Sequence, residues 1–354
     1  MRFAAFPSSS PIAVGLAVIA SATMIAGAPA RTSAAGLPPL PAPIHLDDIH
    51  FMVSDEAATV AFLEKHLDAC EMAHADRPID YVRYLSVRYL DPTLTITGPT
   101  PANEPDELRA RTTSHVDIVP APRDAPPHFG VHWVGFSVAN LETALRRLQA
   151  GGVVVAQPRL ALPQAPGVRA ALVHGPDNIP LAIVERAGDR GSLFGMDHLM
   201  LLVKDAAANS RLFEELFRGQ VVQRAPGLVV VRVADATLVL AEPRTLGLDP
   251  SRIAPPQNIP WASTGPAPTQ RVTVNASVEH IGFLYADIPA LAAAAQARGY
   301  HLEYPPLRYA YKGRPTPFTS TEFMTPDGFS VEVVSAAGRV GPHAYYKVPC
   351  PSHD

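Results

Sequence analysis

Cysteine is almost absent, with only Cys70 and Cys350 in 354 residues. So few exclude a disulfide-built scaffold, and neither has the short spacing of a thiolate zinc site. In an oxidising compartment the two would be placed to pair or to stay as free thiols, and spacing alone does not choose. Basic runs are lacking as well. Net charge is −4, and no Lys/Arg cluster marks a surface for nucleic acid or another polyanion. What is abundant is proline, 38 residues, gathered between periodic segments as long connections. At 47% hydrophobic residues the composition is that of a globular chain long enough for about two domains.

The first thirty residues stand apart. Arg2 precedes an apolar, uncharged run from Ile12 to Ala28, and Ala28-Pro29-Ala30 offers a small-x-small cleavage site. The expectation is a signal peptide over 1–30, a Pro/Ala-rich leader over 31–43, and a periplasmic or secreted protein. An uncleaved membrane anchor is the alternative. After cleavage no stable membrane insertion is expected.

The rest is a repeat. Val134-Gly135-Phe136-Ser137-Val138-Ala139-Asn140-Leu141 aligns without a gap on Ile281-Gly282-Phe283-Leu284-Tyr285-Ala286-Asp287-Ile288, and each runs into a helical stretch. Pro176-Asp177-Asn178 and Pro326-Asp327-Gly328 each precede an apolar strand, the two Asp serving the turn. Ile49–Val53 with Asp55 repeats as Leu199–Val203 with Asp205. The reading is an α+β protein of four βαβββ units in two tandem pairs, with each pair a curled mixed sheet forming a cleft and helices outside. The first domain is expected over 44–190, the second over 191–340 and a tail over 341–354. Pro99–Pro127 and Pro243–Pro268 join the units as lids or linkers.

Three strands in the second half each carry one polar residue in an apolar setting: His198, His280 and Glu332. A carboxylate there is costly to bury unless a positive group meets it. Two histidines and a carboxylate suggest one divalent metal ion with open coordination positions. For a lone histidine the ordinary alternative is a ring satisfied by a backbone carbonyl; the joint pattern favours a ligand. Aligned in the same register, the first half has Asp48, Trp133 and Ala182 at the matching places, and Val239 falls at a fourth. His50 lies two residues on, on the same face, while His132 and Glu185 are displaced by odd numbers to the other face, so a first triad is not expected from them. The first half therefore reads as a pair that keeps the fold and has lost the metal.

These residues resemble the vicinal oxygen chelate superfamily, which includes glyoxalase I, bleomycin-resistance proteins, methylmalonyl-CoA epimerase and extradiol ring-cleavage dioxygenases. The resemblance rests on Asp197-His198 before Asp205, His280 before Gly282-Phe283, and Pro326-Asp327-Gly328 before Glu332. It implies a metalloenzyme for a small oxygenated, vicinal-oxygen molecule, as monomer or homodimer, most like an extradiol-type dioxygenase with Fe(II) or Mn(II). A glyoxalase-like lyase or isomerase with Zn, Ni or Mn is the alternative, and a non-catalytic, resistance-type binding protein is another. Glu322 stands where the dioxygenases have a tyrosine, and their acid–base histidines have no counterpart. Glu322 and Tyr311 are therefore the candidate proton-transfer groups. Arg308 and Tyr309, in an aromatic and cationic stretch from Tyr304 to Arg314, are candidates for holding the substrate.

Overall fold

The computed structural model describes residues 37, 39–74, 82–87, 93–97, 116–187, 194–257, 272–309 and 318–336. The expected signal peptide over 1–30, Tyr311 and Cys350 lie outside the described residues, as does the side chain of Cys70. Among the described residues no helix is long and apolar enough to cross a membrane.

The four units are present in chain order. The first comprises β1 (His45–Met52), α1 (Glu56–Leu67), β2 (Ala69–His74), β3 (Val82–Val87) and β4 (Thr93–Thr97). After β5 (Val116–Val119) the second comprises β6 (Gly130–Val138), α2 (Leu141–Ala150), β7 (Val155–Gln157), β8 (Ala170–His174) and β9 (Pro180–Glu185). The third runs through β10 (Gly195–Leu202), α3 (Ala206–Glu215), β11 (Gln220–Ala225), β12 (Leu228–Val233) and β13 (Ala236–Ala241). Following β14 (Val272–Asn275), the fourth has β15 (Ser277–Leu284), α4 (Ile288–Gln296), β16 (Leu307–Tyr309), β17 (Phe318–Met324) and β18 (Ser330–Ala336).

One device starts each of the four α-helices among the described residues. Asp55, Asn140, Asp205 and Asp287 are N-caps in extended conformation, and each side chain accepts from the amide three residues on, at 2.8–2.9 Å. Such a cap satisfies one of the otherwise orphaned amides of the first turn.

The units do not form sheets with their sequence neighbours. One eight-stranded sheet has the order β16-β17-β18-β15-β1-β4-β3-β2, the other β11-β12-β13-β10-β6-β9-β8-β7. The first unit thus completes its sheet with the fourth, and the second with the third. This corrects the expected division into sheets over 44–190 and 191–340. Physically, the alternation of a strand reports which face is buried; it carries no record of which other edge will meet it. We call the 1+4 sheet outer and the 2+3 sheet inner, by position in the chain.

Tandem neighbours do meet, but through helices and turns. Arg147 of α2 pairs with Asp68 at the end of α1, at 2.6 Å. Phe217, just after α3, packs on Phe283 and Phe323 of the fourth unit, with ring centroids 5.5 and 5.9 Å away. The two turn aspartates act as clasps: Asp177 accepts from Ser54 N and Oγ, both at 2.6 Å, and Asp327 accepts from Lys204 N at 2.8 Å and Asn209 Nδ2 at 2.9 Å. The buried faces of the helices, including Leu63, Leu148, Phe213 and Leu291, share one apolar core with both sheets. Contacts divide the chain only between Leu37 and Pro38, so both sheets lie in one compact unit. Each sheet keeps its other face for a separate purpose.

Candidate metal centre

The site grows from the seam between β1 and β15. The strands run antiparallel with Asp48 opposite Gly282 and His50 opposite His280. Register steps leave Asp47 and Glu279 as extra residues, one in each strand. A bulge of this kind re-aims a side chain. Glu279 therefore shares a face with its neighbour His280: Glu279 Oε2 is 3.2 Å from both His280 Nδ1 and His50 Nδ1. The two imidazoles meet edge-on, with centroids 4.4 Å apart and planes at 81°.

The far edge of the His280 ring faces two carboxylates. Its Nε2 is 3.5 Å from Glu332 Oε2 and 3.8 Å from Asp48 Oδ2. β18 lies parallel to β15 with Glu332 beside Gly282. The glycine makes room there: a Cβ on residue 282 would stand 1.9 Å from Asp48 Oδ1. Across β17, Glu322 faces Glu332 and is buried. The Tyr304 hydroxyl donates to Glu322 Oε1 at 3.1 Å, and the Ser330 hydroxyl donates to the other carboxyl oxygen.

The electrostatics follow from this crowding. Burial, with the charge of His280 beside it, lowers His50 to about 3 against a weaker pull from Glu279. Burial alone would lower His280 too, but hydrogen bonds and charge from Glu279 and Glu332 outweigh it and hold that ring well above its ordinary value. Burial pushes Glu322 well above the usual carboxylate range; His280 opposes this, while Glu279, Glu332 and Glu303 reinforce it. Among the described residues no lysine or arginine forms an ion pair with Glu322 or Glu332.

A divalent ion fits this donor set. One ligand atom each from Asp48, His280 and Glu332 lie within 4.8 Å of one another, and one imidazole with two carboxylates suits a hard or borderline divalent cation.

Of the three expected ligands, the structure brings together His280 and Glu332 and places His198 elsewhere. His198 is in β10, in the inner sheet. Its Nε2 accepts from Trp133 Nε1 at 2.9 Å, and its Nδ1 donates to Asp197 Oδ1 at 2.7 Å. Asp197 is in turn gripped by Arg186 at 2.6 and 2.9 Å. Both ring nitrogens of His198 are engaged in hydrogen bonds within the inner sheet. Its expected place is filled by Asp48, the residue that the repeat aligns with it.

The inner sheet shows what becomes of the same frame without ligands. Trp133, Ala182 and Val239 occupy its equivalent places and join Met200 and Val230 in an apolar cluster. Leu160 and Leu162, from the connection between β7 and β8, close over that face. Gly135 leaves room for the His198 ring as Gly282 does for Asp48, since a Cβ there would lie 2.6 Å from Nδ1. Glu185, off register as expected, accepts from Leu141 N at 2.8 Å and from Arg169. Among the described residues, the pair of units without a metal set is thus the inner one, not the first tandem pair.

Glu322 joins the face where Glu332 stands. Arg308 and Tyr309 fall in β16, the edge strand of the same sheet, with only their backbone described. Tyr304, from the same stretch, is the residue that touches Glu322. Sequence reasoning missed Asp48 by assigning its unit to the wrong partner. It missed Glu279 because a bulge breaks the alternation on which faces are read.

Residues 195–333 match the model of the Glyoxalase/Bleomycin resistance protein/Dioxygenase superfamily. Among solved structures, a glyoxalase I mutant from Zea mays superposes with a TM-score of 0.56 at 13% identity, covering 82% of this chain and 93% of that one. A putative dioxygenase from Bacillus subtilis superposes with a TM-score of 0.53 at 14% identity, covering 86% and 88%. No curated protein sequence matches the chain. The chain carries the vicinal oxygen chelate fold.

Proposed function

We propose that the outer sheet is a metal-assisted proton-transfer site, a lyase or isomerase centre for a small molecule with neighbouring oxygens. The observation that carries this is Glu322: a buried carboxyl fixed between the hydroxyls of Tyr304 and Ser330, on the strand facing Glu332. Asp48, His280 and Glu332 would hold the ion, with Mn(II) or Fe(II) suited to the set and Zn or Ni as alternatives. A bound divalent ion would polarise the substrate's oxygens and so acidify the C–H bond between them. The charge of the ion would favour the ionised form of Glu322, which would take that proton and return it to the product, while its two hydroxyl partners keep the carboxyl aimed. Gly282 leaves the volume that the Asp48 carboxylate needs. The extradiol reading is weaker, because it rested on His198 beside His280 and those two residues lie in different sheets.

The test is proton exchange. With Mn(II) present, α-hydroxy carbonyl compounds in D2O should lose the NMR signal of the proton next to the carbonyl. Glu322→Gln should slow that exchange by about 100-fold or more while ion binding persists. Oxygen uptake with a catechol and no exchange would return the site to the dioxygenase class. Tight ligand binding with neither activity would make it a binding protein. We extend the proposal to export, on the N-terminal segment described above; N-terminal sequencing of the mature protein should begin near Arg31.

A further inference from the structure

We infer that the bulge in β15 builds a second, nitrogen-rich metal site from His50 Nδ1, His280 Nδ1 and Glu279 Oε2, on the opposite edge of the His280 ring from Asp48 and Glu332. Three distances carry the inference. His50 to His280 is 3.2 Å, His50 to Glu279 is 3.2 Å, and His280 to Glu279 is 3.2 Å. Ligand atoms held about 2.0–2.2 Å from one ion stand about 3.0–3.5 Å from each other at tetrahedral to octahedral angles. A triangle of that size leaves all three atoms within reach of one ion.

A tight charge-assisted hydrogen bond would leave a different trace. A charge-assisted N–H···O hydrogen bond shortens its own edge to about 2.7–2.9 Å and leaves the others long. The protein contains that case at another bulge, in β10 of the inner sheet, where His198 Nδ1 and its neighbour Asp197 lie 2.7 Å apart. His280 and its own neighbour Glu279 stay 3.2 Å apart, a long hydrogen bond. All three residues are buried, with exposures of 6, 2 and 4% for His50, Glu279 and His280. The ligands are therefore fixed by strand pairing before any ion arrives.

The two sets differ in kind. Two imidazoles and one carboxylate favour Zn(II), Ni(II) or Fe(II), whereas one imidazole and two carboxylates lean towards Mn(II). A neutral imidazole has one free lone pair. Asp48–Glu332 and His50–Glu279 thus draw on His280 one at a time, and Zn(II) should compete with Mn(II).

Zn(II) titration of the full chain by calorimetry, without substrate, tests the site. His50→Ala and Glu279→Gln should each weaken Zn(II) by about 100-fold, and Asp48→Asn and Glu332→Gln by less than about 10-fold. Loss of Zn(II) in the latter pair with retention in the former would overturn the inference, as would failure of the wild type to bind Zn(II) stoichiometrically. X-ray absorption of the Zn(II)-loaded wild type needs no variant: two imidazoles in the coordination shell support the site, and one or none refutes it. Because binding is read without turnover, failure of the proton-transfer reading leaves this result unchanged, and the reverse holds too.

Discussion

Replacing Gly282 by alanine separates the metal set from the scaffold. The new methyl would start 1.9 Å from Asp48 Oδ1 and 3.5 Å from Glu332 Oε2. An ordinary contact is near 3.4–3.5 Å, so the Asp48 carboxylate must retreat by about 1.5 Å while Glu332 stays. It is the end of a rotatable side chain, so the cost belongs at the low end of the overpacking range of about 1–3 kcal/mol. At about 2–4 °C per kcal/mol for a chain of this size, Tm should fall by only a few degrees. A ligand moved by more than an ångström no longer shares a centre with His280 and Glu332, and Mn(II) affinity should fall by about 10–100-fold. Gly135→Ala is the matched control. Its methyl would meet His198, which is pinned between Trp133 and Asp197 and has nowhere to turn. It should lower Tm more and leave Mn(II) affinity unchanged. Thermal unfolding by circular dichroism and Mn(II) titration by calorimetry give both numbers. Wild-type Mn(II) affinity in Gly282→Ala would refute the reasoning.

Two further outcomes follow from the inner sheet. Burial would raise the Asp197 carboxyl, but hydrogen bonds from His198 and Arg186 outweigh it and hold it near 2, below the usual 3.8. A depressed carboxylate stabilises the fold above its unfolded value and loses that contribution as pH falls through the folded one, so Asp197→Asn should cost roughly 2 kcal/mol at pH 7 and flatten the loss of stability between pH 4 and 2. Urea midpoints across that range check it, and an unchanged slope counts against it. Trp133→Ala empties the centre of the apolar cluster and strips His198 of a partner, so it should cost about 3–5 kcal/mol by urea unfolding. Bound metal, measured by elemental analysis in the folded variant, should be unchanged.

Much of the fold was legible because it is local chemistry repeated. Four cap residues mark the same point in all four units, two Gly-Phe pairs and two turn aspartates mark the same points in the second and fourth, and the structure uses each one. The register between units was legible too: the alignment puts Asp48 at the place of His198, and Asp48 stands in the ion set. What sequence could not supply was the partner of each edge strand, since four similar edges pair equally well on paper. That one missing fact moved His198 out of the site. Glu279 was hidden for another reason. Alternation assigns it to the face opposite His280, and only the extra residue in β15 turns it round.

The crossed pairing also governs when the chain becomes competent. The inner sheet is drawn from one continuous stretch, β6 through β13, and its strands emerge from synthesis as a block. The outer sheet joins the two ends of the protein, with His50 waiting for a partner 230 residues downstream. Loop closure over such a separation comes late in folding, and until then β1 has an open edge. The seam that carries the metal ligands therefore cannot close until the last unit has been made, so a chain cut short before β15 has no assembled centre to load.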